Sequence, residues 1–492
     1  MKGKRSHSVS VLYLIVLIAL AALIFPLEVF AVPACDRPFE LKQPSGKTFE
    51  ARQRGDEWYN WVETKDGYGI YKNAETGNWE YYVPADETPK KEQKFRIGRK
   101  QDTKKRAIVS EADPAKLGIP KGLRPPMKED SRPWKPTKPK TSPQTTPRPS
   151  PLPQDERESS SAHERLGEAE RTQQKQDNEQ QPPESPFVKG DSGGFYAKKS
   201  ATSTAVSGTM HLLVIGVDYA TTTATYKPSE VQALAFGASN SVADYYGEVS
   251  HSAVTITPAM ESEGTSNDGF VGWLRLKGSH PNTGTSIDTR NQQIAKDSIL
   301  AADPYINYSS YDDNNDGIIE PTELSILVIV AGYGAAYGGS YSPAVWSHRT
   351  SMYRVGYPFV DGKTIQEYAQ VGEKHGDYLT TFGTICHELG HLMFTLPDLY
   401  DTDASNGESF GIGRFDLMGS GGWGAASGAY SGSSPTHLSA WSKEYLSWGT
   451  VNTISSDQSV SLPKADGNKA SIFRINTPPG LKPIFSDGEQ GV

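Results

Sequence analysis

The apolar and polar positions divide the chain into stretches of different rhythm. Between residues 38 and 85, short segments alternate aromatic and polar residues: Phe39-Glu-Leu-Lys-Gln-Pro-Ser-Gly, Arg54-Gly-Asp-Glu-Trp58-Tyr and Asp66-Gly-Tyr68-Gly-Ile-Tyr71. Period-two alternation broken by Gly, Pro and Asp predicts short β-strands joined by turns. Trp58, Trp61, Tyr68, Tyr71, Trp79, Tyr81 and Tyr82 would give this small unit an aromatic core. From Lys121 the rhythm vanishes. Prolines crowd between Pro125 and Pro153, and a Glu/Gln/Arg/Ser run follows to Gln181. With almost no apolar residues this stretch predicts an extended, protease-sensitive linker over 121–195.

Apolar runs return after residue 205. His211–Val217 and Leu324–Val330 are continuous, the signature of strands buried on both faces. Val254–Thr257 predicts a further strand and Val345–Arg349 a short, edge-like one. Phe236–Val249 reads as a helix, as does Ser286–Ala302 with Ile287, Ile294, Ile299 and Leu300 as its apolar residues. Strands interleaved with helices predict a mixed α/β, or α+β, domain. The expected organisation is a 1–31 signal peptide, a β-rich leader over 36–120, the 121–195 linker, a catalytic domain over 205–450, and the start of a β-rich region over 451–492, where the chain reads as a fragment.

The first residues change the picture of location. Lys2, Lys4 and Arg5 precede an apolar run from Val11 to Phe25, and Val29-Phe30-Ala31 supplies a small residue for cleavage. This predicts export, with an uncleaved anchor as the alternative; the run falls short of the ~20 residues a span needs. No later segment is apolar enough to cross a membrane, so no stable membrane partner is expected after cleavage. At 492 residues, 36% hydrophobic and 22% charged, the chain predicts two or three domains. A net charge of −8 without a basic stripe argues against a nucleic-acid partner. Two cysteines, Cys35 and Cys386, exclude a disulfide scaffold.

The chemistry concentrates in Thr381–Asp398, which contains His387-Glu388-Leu-Gly-His391. On a helix, residues four apart share a face, so the two imidazoles can hold one Zn²⁺ at about 2.0–2.1 Å each. Glu388 lies beside that point and can take a proton from an activated water. Ile385, Leu389, Leu392 and Met393 make the helix apolar around the polar triplet. Cys386 points about 100° from His387 and reads as packing, not as a ligand. A second pattern runs from Asp312 to Glu323. Asp312, Asn314, Asp316, Glu320 and Glu323 fall at positions 1, 3, 5, 9 and 12 of a calcium loop, with Gly317 at the sixth and the Ile318 carbonyl as a further ligand. A strand follows it where an EF-hand would have its second helix.

Taken together, the stretches GKTFEARQRGDEWYNWVETKDGYGIY, SVADYYGEVSHSAVTITPA, DNNDGIIEPTELSILVIVAGYG, VWSHR, HELGHLMFTLPDLYDTD and FDLMGSGGW resemble the immune inhibitor A family of secreted bacterial zinc metallopeptidases, from about Gln43 to Trp448. The resemblance implies a propeptide followed by a zincin-like, metzincin-like domain, with Met418 in a Met-turn beneath the metal. Two positions depart from the metzincin pattern. Phe394 stands where a Gly turns the chain, and Pro397 stands where the acidic ligand falls, one residue before Asp398. Asp398 is the first choice for third ligand; Asp401 and Glu444, in the helical-looking His437–Leu446 segment, are the others.

These readings converge on a secreted zinc endopeptidase acting on protein or peptide substrates, made as a zymogen, with Glu388 as general base. His348 could line the cleft or assist the oxyanion, though a histidine satisfied within a strand is the simpler reading. The departures at Phe394 and Pro397 support an alternative: a surface binding protein that keeps the fold without turnover. Serine catalysis is disfavoured, since no Gly-x-Ser-x-Gly elbow occurs.

Overall fold

In the computed structural model, residues 31–56, 59–83, 108–125, 206–401, 409–456 and 458–475 are described, with 187–189 and 195–197 described by backbone alone. The expected signal segment up to residue 30, Trp58 and most of the expected 121–195 linker lie outside the described residues. The chain forms two compact units, Met1–Pro133 with Thr204–Val492, and Trp134–Ser203.

The leader begins the larger unit. Strands β1 (Phe39–Lys42), β2 (Thr48–Gly55), β3 (Asn60–Thr64), β4 (Gly69–Lys72) and β5 (Trp79–Tyr81) form an antiparallel sheet in chain order. Alternation sends Leu41, Ala51 and Ile70 to one buried face, where Tyr81, Tyr82, Val109, Ile119 and Leu123 close over them. In the smaller unit, β6 (Phe187–Lys189) pairs antiparallel with β7 (Phe195–Ala197).

The catalytic region is built on β8 (Gly208–Tyr219), followed by α1 (Pro228–Phe236), α2 (Val242–Val249), β9 (Val254–Pro258), β10 (Phe270–Leu276) and α3 (Thr289–Ala302). Then come β11 (Ile318–Ile319), β12 (Leu324–Gly334), β13 (Ala344–Val345), β14 (His348–Ser351), β15 (Phe359–Val360), β16 (Lys363–Ile365), β17 (Glu367–His375) and β18 (Tyr378–Leu379). Helix α4 (Phe382–Phe394) follows, then α5 (Ala440–Leu446), β19 (Val451–Ile454) and β20 (Ile472–Ile475). The main sheet runs β10-β8-β12-β17-β14, parallel except for the antiparallel edge strand β14. This is a mixed sheet in an α+β arrangement.

Both faces of that sheet are covered, which is why β8 and β12 read as unbroken apolar runs. Leu212, Val214, Leu327, Ile329, Ala369 and Val371 point to the core shared with α2 and α4. Leu213, Ile215, Val217, Ile326, Val328 and Val330 point to the opposite core, under α3. α4 packs against β12, β14 and β17, so its polar residues are fixed on the sheet's rigid surface.

The helix expected over Phe236–Val249 begins only at Val242; Phe236 is the last residue of a preceding helix, and 237–241 form the link between them. α1 ends at Phe236, and Ser241 starts α2 by accepting the Asp244 N–H at 3.1 Å while its hydroxyl donates to the Gly237 carbonyl at 2.6 Å. Side-chain capping outcompetes helix continuation across Gly-Ala-Ser-Asn-Ser. The helix expected from Ser286 begins at Thr289, because Asp288 caps it through the Arg290 N–H. Leu300 faces solvent rather than the core. Similarly, Ser439 starts α5 at Ala440, after the predicted His437. No helix among the described residues is long and apolar enough to cross a membrane.

Candidate metal centre

Every residue of α4 is buried. The helix can lie this deep because small residues let neighbouring backbone approach it: a Cβ on Gly383 would meet the Gly422 carbonyl oxygen at 2.2 Å. At the other end Thr395 adopts a left-handed conformation (φ 51°) and reverses the chain. The chain thus leaves the helix axis at Thr395, two residues before Pro397, which cannot itself continue a helix. The helix therefore runs through Phe394, where the metzincin pattern has its turning Gly. The acidic residue is correspondingly displaced by one, from position 397 to Asp398.

The structure brings His387, His391 and Asp398 together, the one group of at least three His, Cys, Asp or Glu ligand atoms that converges among the described residues. His387 Nε2 and His391 Nε2 lie 3.1 Å apart, and Asp398 Oδ1 is 3.2 Å from each. His387 Nδ1 is 2.8 Å from the Leu417 carbonyl and His391 Nδ1 2.6 Å from the Leu396 carbonyl. A carbonyl only accepts, so each Nδ1 carries a proton and each neutral imidazole turns its Nε2 lone pair to the centre. Two lone pairs facing across 3.1 Å repel unless a proton or cation lies between them. Three such donors with one side open fit a tetrahedral metal ion.

Electrostatics agree with this arrangement. Burial alone would raise the Asp398 carboxyl, but the two imidazoles outweigh it and hold Asp398 below its ordinary range. Glu388 is pushed up to about 8, chiefly by burial, against the lowering effects of His387 and a backbone N–H. Glu388 Oε1 accepts the Val32 N–H at 2.8 Å, while Oε2 is buried without a hydrogen-bond partner among the described residues.

Met418 lies under the helix. A Cβ on Gly390 would come within 2.7 Å of the Met418 sulfur, so Gly390 admits the thioether between the two histidines' turns. Asp416, which sequence reasoning left without a role of its own, anchors this turn. Its buried carboxylate accepts the Met418 N–H at 2.7 Å, the Ser439 N–H at 2.8 Å and the Ser442 hydroxyl at 2.7 Å. Its spacing from Met418 was visible; the contacts to α5 were not.

The other candidates lie elsewhere. Asp401 accepts the Ser409 N–H at 3.0 Å, and Glu444 pairs with Arg474. His348 is fully buried, its nitrogens 2.8 Å from the Trp346 carbonyl and 3.0 Å from the Tyr368 hydroxyl, so it does not line the cleft. Cys386 is buried in the core behind the helix. In the acidic loop, Asp312 accepts the Asp316 and Gly317 N–H groups and pairs with Lys363. Asp316 Oδ1 accepts the Ile318 N–H, Asn314 Oδ1 the Asp316 N–H, and Glu323 the N–H groups of Asp313 and Glu320. Glu323 and burial push the Glu320 carboxyl up to about 7. The loop's oxygens are thus taken by protein donors, a different arrangement from a closed cage of cation ligands.

Gly390→Ala places a methyl against a sulfur that the buried turn holds in place. Overpacking of this kind costs roughly 1–3 kcal/mol, so urea unfolding should show a lowered midpoint with an unchanged slope. Wild-type stability in this variant would mean that Met418 moves freely under the site.

Residues 217–450 match the family described as immune inhibitor A peptidase M6, catalytic domain. The chain is also 25% identical over 312 residues to the pre-pro-metalloprotease PrtV of Vibrio cholerae serotype O1, in strain M66-2 and in strain ATCC 39315 / El Tor Inaba N16961. The alignment covers 54% of this chain and 32% of either relative, so the chain spans about a third of the length of the curated relatives it matches. The match and the donor set described above agree with the resemblance carried by the sequence motifs: residues 217–450 are similar to the catalytic domain of immune inhibitor A-type metallopeptidases.

Proposed function

We propose that this chain is a secreted zinc-dependent endopeptidase, made with its own leader lying in the cleft. The observation that carries the reading is the convergence of two imidazole lone pairs and one carboxylate oxygen beside a buried glutamate. His387, His391 and Asp398 would hold the metal in a metzincin-like site with Met418 beneath. A Zn²⁺ there would supply Lewis acidity and make water acidic enough to attack at neutral pH. Glu388 would take the proton from the attacking water and deliver it to the departing amine. A nearby cation favours the charged form of a carboxyl and would bring Glu388 down from about 8. The departures at Phe394 and Pro397, which support a non-catalytic binding protein, have a simpler account in a helix one residue longer than the pattern.

Latency is supported by the path of residues 31–37. Val32 and Cys35, which remain after cleavage following Ala31, are buried among Tyr337, Trp346, Tyr378 and Trp423, and Val32 engages Glu388 directly. Asp36 pairs with Arg414 at 2.7 Å. A long tether between leader and catalytic region adds little to the entropy of closing this contact, because the cost grows only logarithmically with length. The signal pattern over 1–31 supports export, and the acidic loop supports a calcium ion that would displace Lys363 from Asp312.

Three outcomes test these readings. Glu388→Ala should keep its metal and lose peptide hydrolysis by about 10²–10⁴-fold, whereas Asp398→Ala should loosen metal by more than the roughly 10–100-fold that removal of an outer partner causes. Asp401→Ala and Glu444→Ala should leave metal affinity unchanged; near-normal hydrolysis by purified Glu388→Ala contradicts the mechanism. For latency, casein hydrolysis by the full chain should rise after nicking within 121–195, and equal rates before and after would reduce the leader to a folding aid. For calcium, the melting temperature should rise with added Ca²⁺, by the equivalent of about 2.7 kcal/mol at a hundredfold excess over Kd. Asp312→Ala or Glu323→Ala should abolish that rise. The effect should weaken as pH falls through about 7, where Glu320 takes up a proton. A melting curve indifferent to millimolar Ca²⁺ leaves the loop as a solvated acidic turn.

A further inference from the structure

The leader segment is held by its backbone. The Ala31 carbonyl accepts from the Tyr400 hydroxyl at 2.8 Å, and the N–H of the same peptide unit, at Val32, donates to Glu388 Oε1 at 2.8 Å. The next two carbonyls are met in turn: Trp346 Nε1 donates to Val32 O at 3.1 Å and Trp423 Nε1 to Pro33 O at 2.8 Å. Both indoles are buried, so without the leader their N–H groups need another acceptor. None of these contacts reads a side chain. The cleft therefore carries a ready-made set of donors for any extended peptide laid along it.

We propose that the Ala31–Val32 peptide unit, intact only until the expected signal segment is removed, marks the position of a substrate's scissile bond, and that Tyr400 is a catalytic residue that stabilises the oxyanion formed there. The inference rests on the peptidase reading above. Its geometry is specific: one peptide plane has its nitrogen on the proposed proton donor and its oxygen on a phenol. In hydrolysis the water oxygen bonds to the carbonyl carbon, and the C=O π pair moves onto the oxygen. Tyr400 donates a hydrogen bond to that oxygen and keeps its proton. Glu388 receives a proton from the water and passes it to the amide nitrogen; the oxyanion pair then re-forms C=O as the C–N bond breaks with its electrons going to nitrogen. The products are a carboxylic acid and an amine, so atoms and charge balance. Tyr400 stands two residues after Asp398, so the loop that closes the metal group also fixes this donor. His348, the oxyanion candidate from sequence, has both ring nitrogens engaged inside the core.

The test compares wild type, Tyr400→Phe and Trp346→Phe, each as the full chain after nicking in the linker, on a fluorogenic peptide. Tyr400→Phe should lower kcat by about 10²–10³, with KM within a few-fold and with zinc content and melting temperature unchanged; Trp346→Phe should raise KM instead. Binding gives a readout independent of turnover. A phosphinic peptide, which bears an oxyanion at the scissile position, should bind Tyr400→Phe at least tenfold more weakly than wild type. A reduced-amide peptide, which has no oxygen there, should bind both equally. Wild type that hydrolyses nothing overturns the peptidase reading and this inference with it. Active wild type with an equally fast Tyr400→Phe, or equal loss of both ligands, overturns the inference alone.

Discussion

Two imidazole lone pairs facing one another across 3.1 Å are the constraint on which the rest of the site depends. The arrangement is not relieved locally, because each ring is fixed from behind by a carbonyl, Leu417 for His387 and Leu396 for His391. Asp398 brings negative charge to the same point and is itself held ionised by the rings. The surrounding structure serves to keep this charge arrangement rigid. α4 is buried along its whole length, the thioether of Met418 lies close against Gly390, and Asp416 ties that turn to the start of α5 through three hydrogen bonds. A centre preorganised in this way loses little entropy when a cation arrives.

The leader is coupled to the same centre. Its β-sheet has a core of its own, yet residues 31–35 leave that sheet and enter the aromatic cluster of Tyr337, Trp346, Tyr378 and Trp423. The contacts they make are peptide contacts, N–H to carboxylate and carbonyl to indole or phenol. A cleft that meets successive peptide groups of its own leader with hydrogen-bonding partners is suited to extended chains. On the proposed reading, inhibition and substrate recognition draw on one set of donors.

Much of the fold could be read from the chain because both faces of the main sheet are buried. Strands β8 and β12 had to be continuous apolar runs, and they are the plainest features of the sequence. The paired histidines were legible for a local reason, four-residue spacing on one helix, and Asp398 followed from proximity. What escaped was set by capping and by distance. Ser241 delays the start of a helix expected from Phe236 to Val242, and Thr395 turns the chain two residues before Pro397. Tyr400, Trp346 and Trp423 converge on residues 31–33 from more than 300 positions away, and no spacing pattern in the sequence announces such a meeting. The acidic loop had the residue order of a cation site, but order alone does not orient the oxygens, and here Lys363 and backbone N–H groups occupy them.

The central claim is that the three converging atoms are ligands of one metal ion. X-ray absorption at the zinc edge on the purified full-length protein tests it most directly. The account predicts one Zn²⁺ per chain with two imidazole nitrogens and a carboxylate oxygen at about 2.0–2.2 Å, and loss of the imidazole signal in His387→Ala. Protein that carries no metal after zinc loading, or zinc whose ligand shell is unchanged in His387→Ala, would contradict it.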